Sequence, residues 1–242
     1  MSFNRNELHG EWARYNPVMN LDQLNAEIIQ CRKCPRLVAW REKVAREKRR
    51  AYRDEEYWGK PVPGFGDPQA RVLIVGLAPG AHGSNRTGRA FTGDGSGRFL
   101  YPALYRAGFA NQPDAVRRGD GLALKGLYIS AVVRCAPPAN KPLPEELENC
   151  QPYLERELEI LQPRVIVVLG KIAFDRVVRL YKVRDAALKF AHEAVYKLPH
   201  DTVPPWLLCS YHPSLQNTQT GRLTAAMFDA IWAKARALAG EE

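Results

Sequence analysis

The chain has 242 residues, 45% of them hydrophobic, with 35 Lys and Arg against 26 Asp and Glu for a net charge of +9. That length fits one domain with extensions and that composition fills a core, while no run approaches the roughly 18 apolar residues of a membrane span. The opening MSFNRNELHGEW is polar and lacks the apolar centre of a secretion signal, so the expectation is a cytoplasmic protein without membrane contact, monomeric by default, whose excess positive charge steers it toward polyanions.

Residues 1–20 carry no clear period and are expected to form an arm on a single domain spanning 1–242. Asn20 with Gln23 three residues on makes a capping box, and Leu21, Leu24 and Ile28 share one face of the helix that follows. This helix delivers Cys31 and Cys34, with Pro35 next. Residues 40–53, WREKVAREKRRAYR, form a basic helix-like stretch, either a solvated face or a phosphate-contacting surface. A Pro/Gly loop at 57–68 leads into a strand at 71–75. The glycine-rich stretch 76–98 follows, then a helix over 99–107. A second strand is predicted at 127–133. Pro144 at the first helical position, with Glu145 and Glu146 behind it, starts the next helix. Leu147, Cys150, Leu154, Leu158 and Leu161 supply its buried stripe, and Pro152 is expected to kink or interrupt it. Strand three is 165–169, followed by a helix at 171–181. Residues 182–205 show no readable pattern. Strand four is 206–210, and a last helix at 223–238 turns Leu223, Met227, Ile231, Ala235 and Leu238 inward.

Four apolar strands alternating with helices predict an α/β fold, a three-layer α/β/α sandwich around a central four-stranded parallel sheet. Ligands in such folds bind at the carboxyl ends of the strands. Three polar loops leave those ends, at 76–98, 134–144 and 210–222, and should meet at one site. The first, GLAPGAHGSNRTGRAFTGDGSGR, is neither a Walker loop nor a G-x-G-x-x-G opening a helix. Its backbone N–H groups suit an anionic or hydrogen-bonding ligand.

Five cysteines are present. Cys31-x2-Cys34 is joined by Cys135 and Cys150, and four thiolates from two regions of the chain suit either zinc or a 4Fe-4S cluster. Their spacing does not choose between the two. Cys209 lies inside an apolar strand and reads as an ordinary buried thiol.

Taken together, the three loops and four cysteines resemble the uracil-DNA glycosylase superfamily, above all its family 5, the B-type enzymes. The carrying residues are Gly76-Leu77-Ala78-Pro79-Gly80-Ala81-His82-Gly83, then Asn85-Arg86-Thr87-Gly88-Arg89-Ala90-Phe91. Val133-Arg134-Cys135-Ala136-Pro137-Pro138, Asn140 and His212-Pro213-Ser214 add to them, with Asn217, Thr220, Gly221 and Arg222. The resemblance runs from about Cys31 to the C-terminal helix. It implies a monofunctional hydrolase of base-excision repair that flips a nucleotide out of DNA, breaks the N-glycosidic bond of uracil or another deaminated base such as hypoxanthine or xanthine, and leaves an abasic site. It implies a 4Fe-4S cluster on Cys31, Cys34, Cys135 and Cys150, with zinc as the second choice. It implies that His212 stabilises charge developing on uracil O2, that Phe91 stacks on the base, and that Asn140 takes part in catalysis. Gly76, Ala78, Pro79 and Gly80 complete the base site. The loop carrying Ser214, Leu215, Gln216 and Asn217 enters the minor groove, with Leu215 or Gln216 as the wedge, and Arg222 contacts phosphate.

The first motif is apolar at Leu77 and Ala78, where other families of the superfamily place an acid or amide to orient water. Asp94 and Asn140 are the candidates for that task. Fewer polar groups to reject the wrong base imply a broad substrate range. Two other readings compete: a family 4-type enzyme restricted to uracil, and a non-catalytic lesion-binding protein that would need neither Asn140 nor His212.

Overall fold

The computed structural model describes residues 20–183, 188–200 and 203–240; most of the expected N-terminal arm lies outside them. Its centre is a sheet of six strands: β1 (Phe65–Gly66), β2 (Val72–Gly76), β3 (Leu127–Ala131), β4 (Val165–Leu169), β5 (Val195–Lys197) and β6 (Trp206–Ser210), in the order β1-β3-β2-β4-β6-β5. The predicted parallel quartet is its core, since β3-β2, β2-β4 and β4-β6 all pair in parallel. The edges are an addition to the expected sheet: β1 pairs antiparallel with β3 and β5 antiparallel with β6. Each edge strand is three residues or fewer, too short to show an alternating pattern.

The two faces of the sheet separate residue by residue, as the period of two demands. Val72, Ile74, Val165, Val167 and Leu169 face one core, which helices α4 (Gly95–Arg106) and α8 (Ala225–Ala239) close with Leu100, Leu104, Phe228, Ile231 and Trp232. Leu73, Val75, Ile166 and Val168 face the other, covered by α2 (Pro35–Glu47), α5 (Pro144–Leu161) and α6 (Lys171–Leu180) through Leu37, Cys150, Leu154, Phe174 and Val177. Helix α1 (Leu21–Gln30) has the expected Asn20–Gln23 capping box and lays Leu24 and Ile28 against Tyr153 of α5.

Of the kink or interruption expected at Pro152, the interruption does not occur: helix α5 runs on through it. Pro152 is exposed, so water reaches the carbonyl deprived of its N–H partner. Its buried stripe is also more polar than expected: Glu146, Cys150, Tyr153, Leu154 and Glu157. Glu146 earns its burial through Arg36, whose Nε and Nη2 donate to its two oxygens at 2.8 and 2.7 Å, tying α5 to α2. The last helix starts at Ala225 behind a Thr224 cap rather than at 223, and buries Phe228 and Trp232 where Met227 and Leu238 were expected to lead.

The glycine-rich segment holds a short helix α3 (Ser84–Thr87) and is stitched by two buried arginines. Arg86 donates to the carbonyls of His82 and Gly93 at 2.8 and 2.9 Å and pairs with Glu55. Arg89 meets Asp120 through two bonds of 2.8 and 2.7 Å, and donates to Thr92 Oγ1. The Phe91 backbone, at φ +51°, then brings its carbonyl against Gly97, where an added Cβ would lie 1.7 Å from that oxygen. Replacing Gly97 by Ala must therefore displace backbone. Overpacking of this kind costs about 1–3 kcal/mol, and thermal denaturation of Gly97→Ala is expected to show a midpoint lower by several degrees.

Candidate active site

The carboxyl ends of β2, β3 and β6 open into a cavity of about 580 Å³, a size suited to a small ligand. Loop 76–98 contributes Gly76, Leu77, Ala78, Pro79, Gly80, Phe91 and Asp94; the segment after β3 contributes Arg134 and Asn140; the segment after β6 contributes His212, Ser214, Leu215 and Gln216. The three loops expected to converge do so.

Phe91 is the cavity's aromatic wall. Its ring lies over Gly76, where a Cβ would come within 3.2 Å of it, and its centroid is 5.8 Å from that of His212 at an interplanar angle of 34°. A side chain at position 76 would lift this ring. Asp94 caps α4: Oδ1 accepts from Gly97 N–H at 2.9 Å. Oδ2 turns toward the Gly80–Gly83 turn, where a Cβ on Gly83 would fall 2.0 Å away. Burial pushes this carboxyl above the usual aspartate value, and the Gly97 and Ser96 amides pull it partway back. Asp94 is thus both the N-cap of α4 and a cavity acid.

His212 follows β6. Its imidazole has no hydrogen-bond partner among the described residues, and burial lowers its pKa to about 4. The ring is therefore neutral near pH 7. Its neighbours fix its place: Asn217 Nδ2 donates to the His212 carbonyl at 2.8 Å, and Tyr211 N–H donates to His192 Nδ1 at 3.2 Å while their rings stack at 4.9 Å. Ser214 caps the short helix α7 (Leu215–Gln219), and Leu215 leans against Gly95 across the cavity mouth while staying 49% exposed. Asn140 sits at the rim in a tight turn, with Ala139 and Asn140 both left-handed at φ +53° and +55°. Asn tolerates that backbone better than most residues. Asn217 and Arg222 do not line the cavity; Arg222 rests 4.6 Å over the Tyr211 ring.

Sequence reasoning passed over Ser130 and Arg134 as cavity residues and His192 as a prop. Ser130 and Arg134 read as strand and motif filler, and His192 fell in the unreadable stretch.

Cys31, Cys34, Cys135 and Cys150 gather between α1, α2, α5 and the end of β3. Each sulfur has a donor: the Tyr153 hydroxyl for Cys31, Asn149 Nδ2 for Cys34 at 3.5 Å, Arg41 Nη1 for Cys135 at 2.8 Å, and the Arg134 amide for Cys150. Burial pushes Cys135 and Cys150 up to about 12 and about 11 as free thiols. Arg41 is 2% exposed, and no carboxylate among the described residues bonds to it. A buried cation needs an anion, and four thiols supply none until they are deprotonated. Among the described residues no three His, Cys, Asp or Glu side chains group tightly enough for a single metal ion.

A family model described as the uracil DNA glycosylase superfamily matches residues 63–236. The type-5 uracil-DNA glycosylase of Thermus thermophilus is 56% identical over 88% of this chain and 95% of its own length. Its counterpart in Mycobacterium leprae is 51% identical over 91% and 96%, whereas a type-4 uracil-DNA glycosylase of Pyrobaculum aerophilum is 34% identical over 81% and 84%. The chain belongs to the uracil DNA glycosylase superfamily, in its type-5 branch.

The depressed His212 pKa has a consequence for stability. Between about pH 4 and the ordinary histidine value the unfolded chain binds a proton that the folded one does not. Stability contributed by this residue is therefore present above that window and lost as pH falls through it. Unfolding midpoints measured from pH 4 to 7 should rise more steeply for the native protein than for His212→Gln.

Proposed function

We propose that the protein excises uracil and other deaminated bases, hypoxanthine and xanthine among them, from DNA by hydrolysing the N-glycosidic bond. The observation that carries this is the meeting of Asp94, Asn140 and His212 around one aromatic-walled cavity at the carboxyl edge of the sheet. The flipped base stacks on Phe91, a contact worth roughly 1–3 kcal/mol. As the bond breaks, negative charge moves to the base and positive charge to the sugar. His212, neutral at this pH, donates a hydrogen bond to the base carbonyl rather than acting as a cation. Asp94 and Asn140 hold the attacking water, with the free Asp94 oxygen facing the developing positive charge. Leu215, apolar and exposed at the mouth, is the wedge that fills the vacated stack. No helix among the described residues is long and apolar enough to cross a membrane.

The apolar lining from Leu77, Ala78, Pro79 and Ala131 supports the broad base range, because shape rejects less sharply than mismatched hydrogen bonds. Single-turnover assays on duplexes holding uracil, hypoxanthine, xanthine or thymine opposite guanine test it, with alkali revealing abasic sites; uracil-only excision would move the range toward the type-4 pattern. Asn140→Ala is expected to slow uracil excision at least about a hundredfold while DNA binding persists. Asp94→Asn should do likewise with little loss of stability, since Asn also caps helices. Wild-type protein that binds uracil DNA without cutting it would point to the lesion-binding reading.

Cys31, Cys34, Cys135 and Cys150 are the residues that would hold a 4Fe-4S cluster. The uncompensated Arg41 and the donors on each sulfur fit four ligated thiolates, and such a cluster would supply structural cross-linking of α1, α2 and α5. Protein purified without oxygen should contain close to four irons and four sulfides per chain and absorb in the visible. Stoichiometric zinc without sulfide would overturn this assignment.

A further inference from the structure

Arg134 is only 2% exposed, yet it lines the base cavity together with Ser130. Its Nη2 donates to Ser130 Oγ at 2.8 Å and pairs with Glu157, which also accepts from the Ser130 hydroxyl. Nε is buried with no partner, and Nη1 has none among the described residues. The backbone is pinned as well: its carbonyl accepts from Val62 N–H at 2.8 Å and its amide donates to Cys150. The guanidinium is anchored through Nη2, with Nε sealed in the interior, and Nη1 remains as a positioned donor. It offers no acceptor.

We propose that Arg134 is the base-reading residue of this site, donating to the exocyclic oxygen of the flipped base: O4 of uracil, O6 of hypoxanthine. The inference rests on the glycosylase reading above and names how that site selects. Deamination replaces an amino donor with a carbonyl acceptor. Cytosine and adenine would bring N–H groups against N–H groups, leaving both buried and unpaired, which costs far more than a lost contact. Guanine keeps its O6, so its rejection falls to another group. Glu157 neutralises the guanidinium and Ser130 helps fix its fork, so the site holds an oriented donor rather than a bare cation that would attract a phosphate.

The test uses hydrolysis-resistant 2′-fluoroarabino nucleotides carrying uracil or pyrimidin-2-one, which lacks O4 and, with it, the N3 proton. Each is placed opposite an abasic analogue so that neither loses a pairing partner on flipping. Wild-type protein should bind the uracil duplex at least about tenfold more tightly, the expectation for a hydrogen bond to a charged donor. Arg134→Met with Glu157→Met removes both charges together and so avoids a lone buried ion. In that variant the preference should fall at least about tenfold, leaving only what the N3 proton contributes, while the affinity for pyrimidin-2-one stays. Arg134→Lys, which keeps the charge but loses the fork, should retain only part of it and serves if the double variant does not fold. A wild-type preference near one overturns the proposal whatever the variants do, as does a full preference retained in either variant. Absence of uracil excision by the wild type would overturn the glycosylase reading, and this proposal with it; excision without an O4 preference overturns this proposal alone.

Discussion

Parallel pairing forces every strand of the central quartet to end on the same edge. The register carries this through: Gly76 lies opposite Ala131, and Leu169 opposite Ser210. The strands β2 and β4 are buried on both faces, so they offer no side chain to a ligand. Chemistry is left to the segments that follow the strands, and these leave from one line. Cavity, aromatic wall, acid and imidazole are all consequences of that single directional constraint.

A loop of more than twenty residues is an entropic burden that a small site cannot carry unaided. Here the ordering comes from inside. Arg86 and Arg89 place their guanidinium groups on loop carbonyls, Thr92, Glu55 and Asp120; against burial, which raises it, Arg89 and the Arg117, Leu122 and Val116 amides hold the Asp120 carboxylate well below its usual range. Part of the positive excess is therefore structural. The basic stretch around 40–53 divides the same way: Arg41 is buried against Cys135, while Arg46, Arg49 and Arg50 remain exposed. The solvated-face reading of that stretch holds for Arg46, Arg49 and Arg50, and buried Arg41 fits neither reading.

The quartet was legible because each strand is a mostly apolar run, bounded at its start by charge, glycine or proline, and strands β4 and β6 were placed to the residue. The edge strands were not, because two or three residues carry no period and owe their conformation to a neighbour's free ladder. Phe91, Asn140 and His212 were singled out through the family motif and Asp94 only as a candidate in the same loop, since no local pattern marks an isolated Phe or Asn as ligand-facing. What no pattern announced was the polarity beneath. Glu157 falls among leucines on α5 and Arg134 next to a cysteine, and only the crossing of α5 over the end of β3 makes them a pair. Pro152 does not interrupt its helix because a proline's effect depends on whether water can reach the carbonyl it orphans.

The buried pairing of Arg134 with Glu157 also limits how this site can change over evolutionary time. Either residue altered alone strands a charge in the interior, a loss of about 3–5 kcal/mol out of a total stability of only about 5–15 kcal/mol. The two positions are twenty-three residues apart in the chain, so one mutation rarely reaches both. Lineages are thus trapped on the side of a valley where the pair is intact, and new base preferences are more accessible through Leu77, Ala78 or Ala131, whose side chains can change singly. Change in the cavity's shape is therefore easier at the apolar wall, while the ionic floor must be kept whole or exchanged whole.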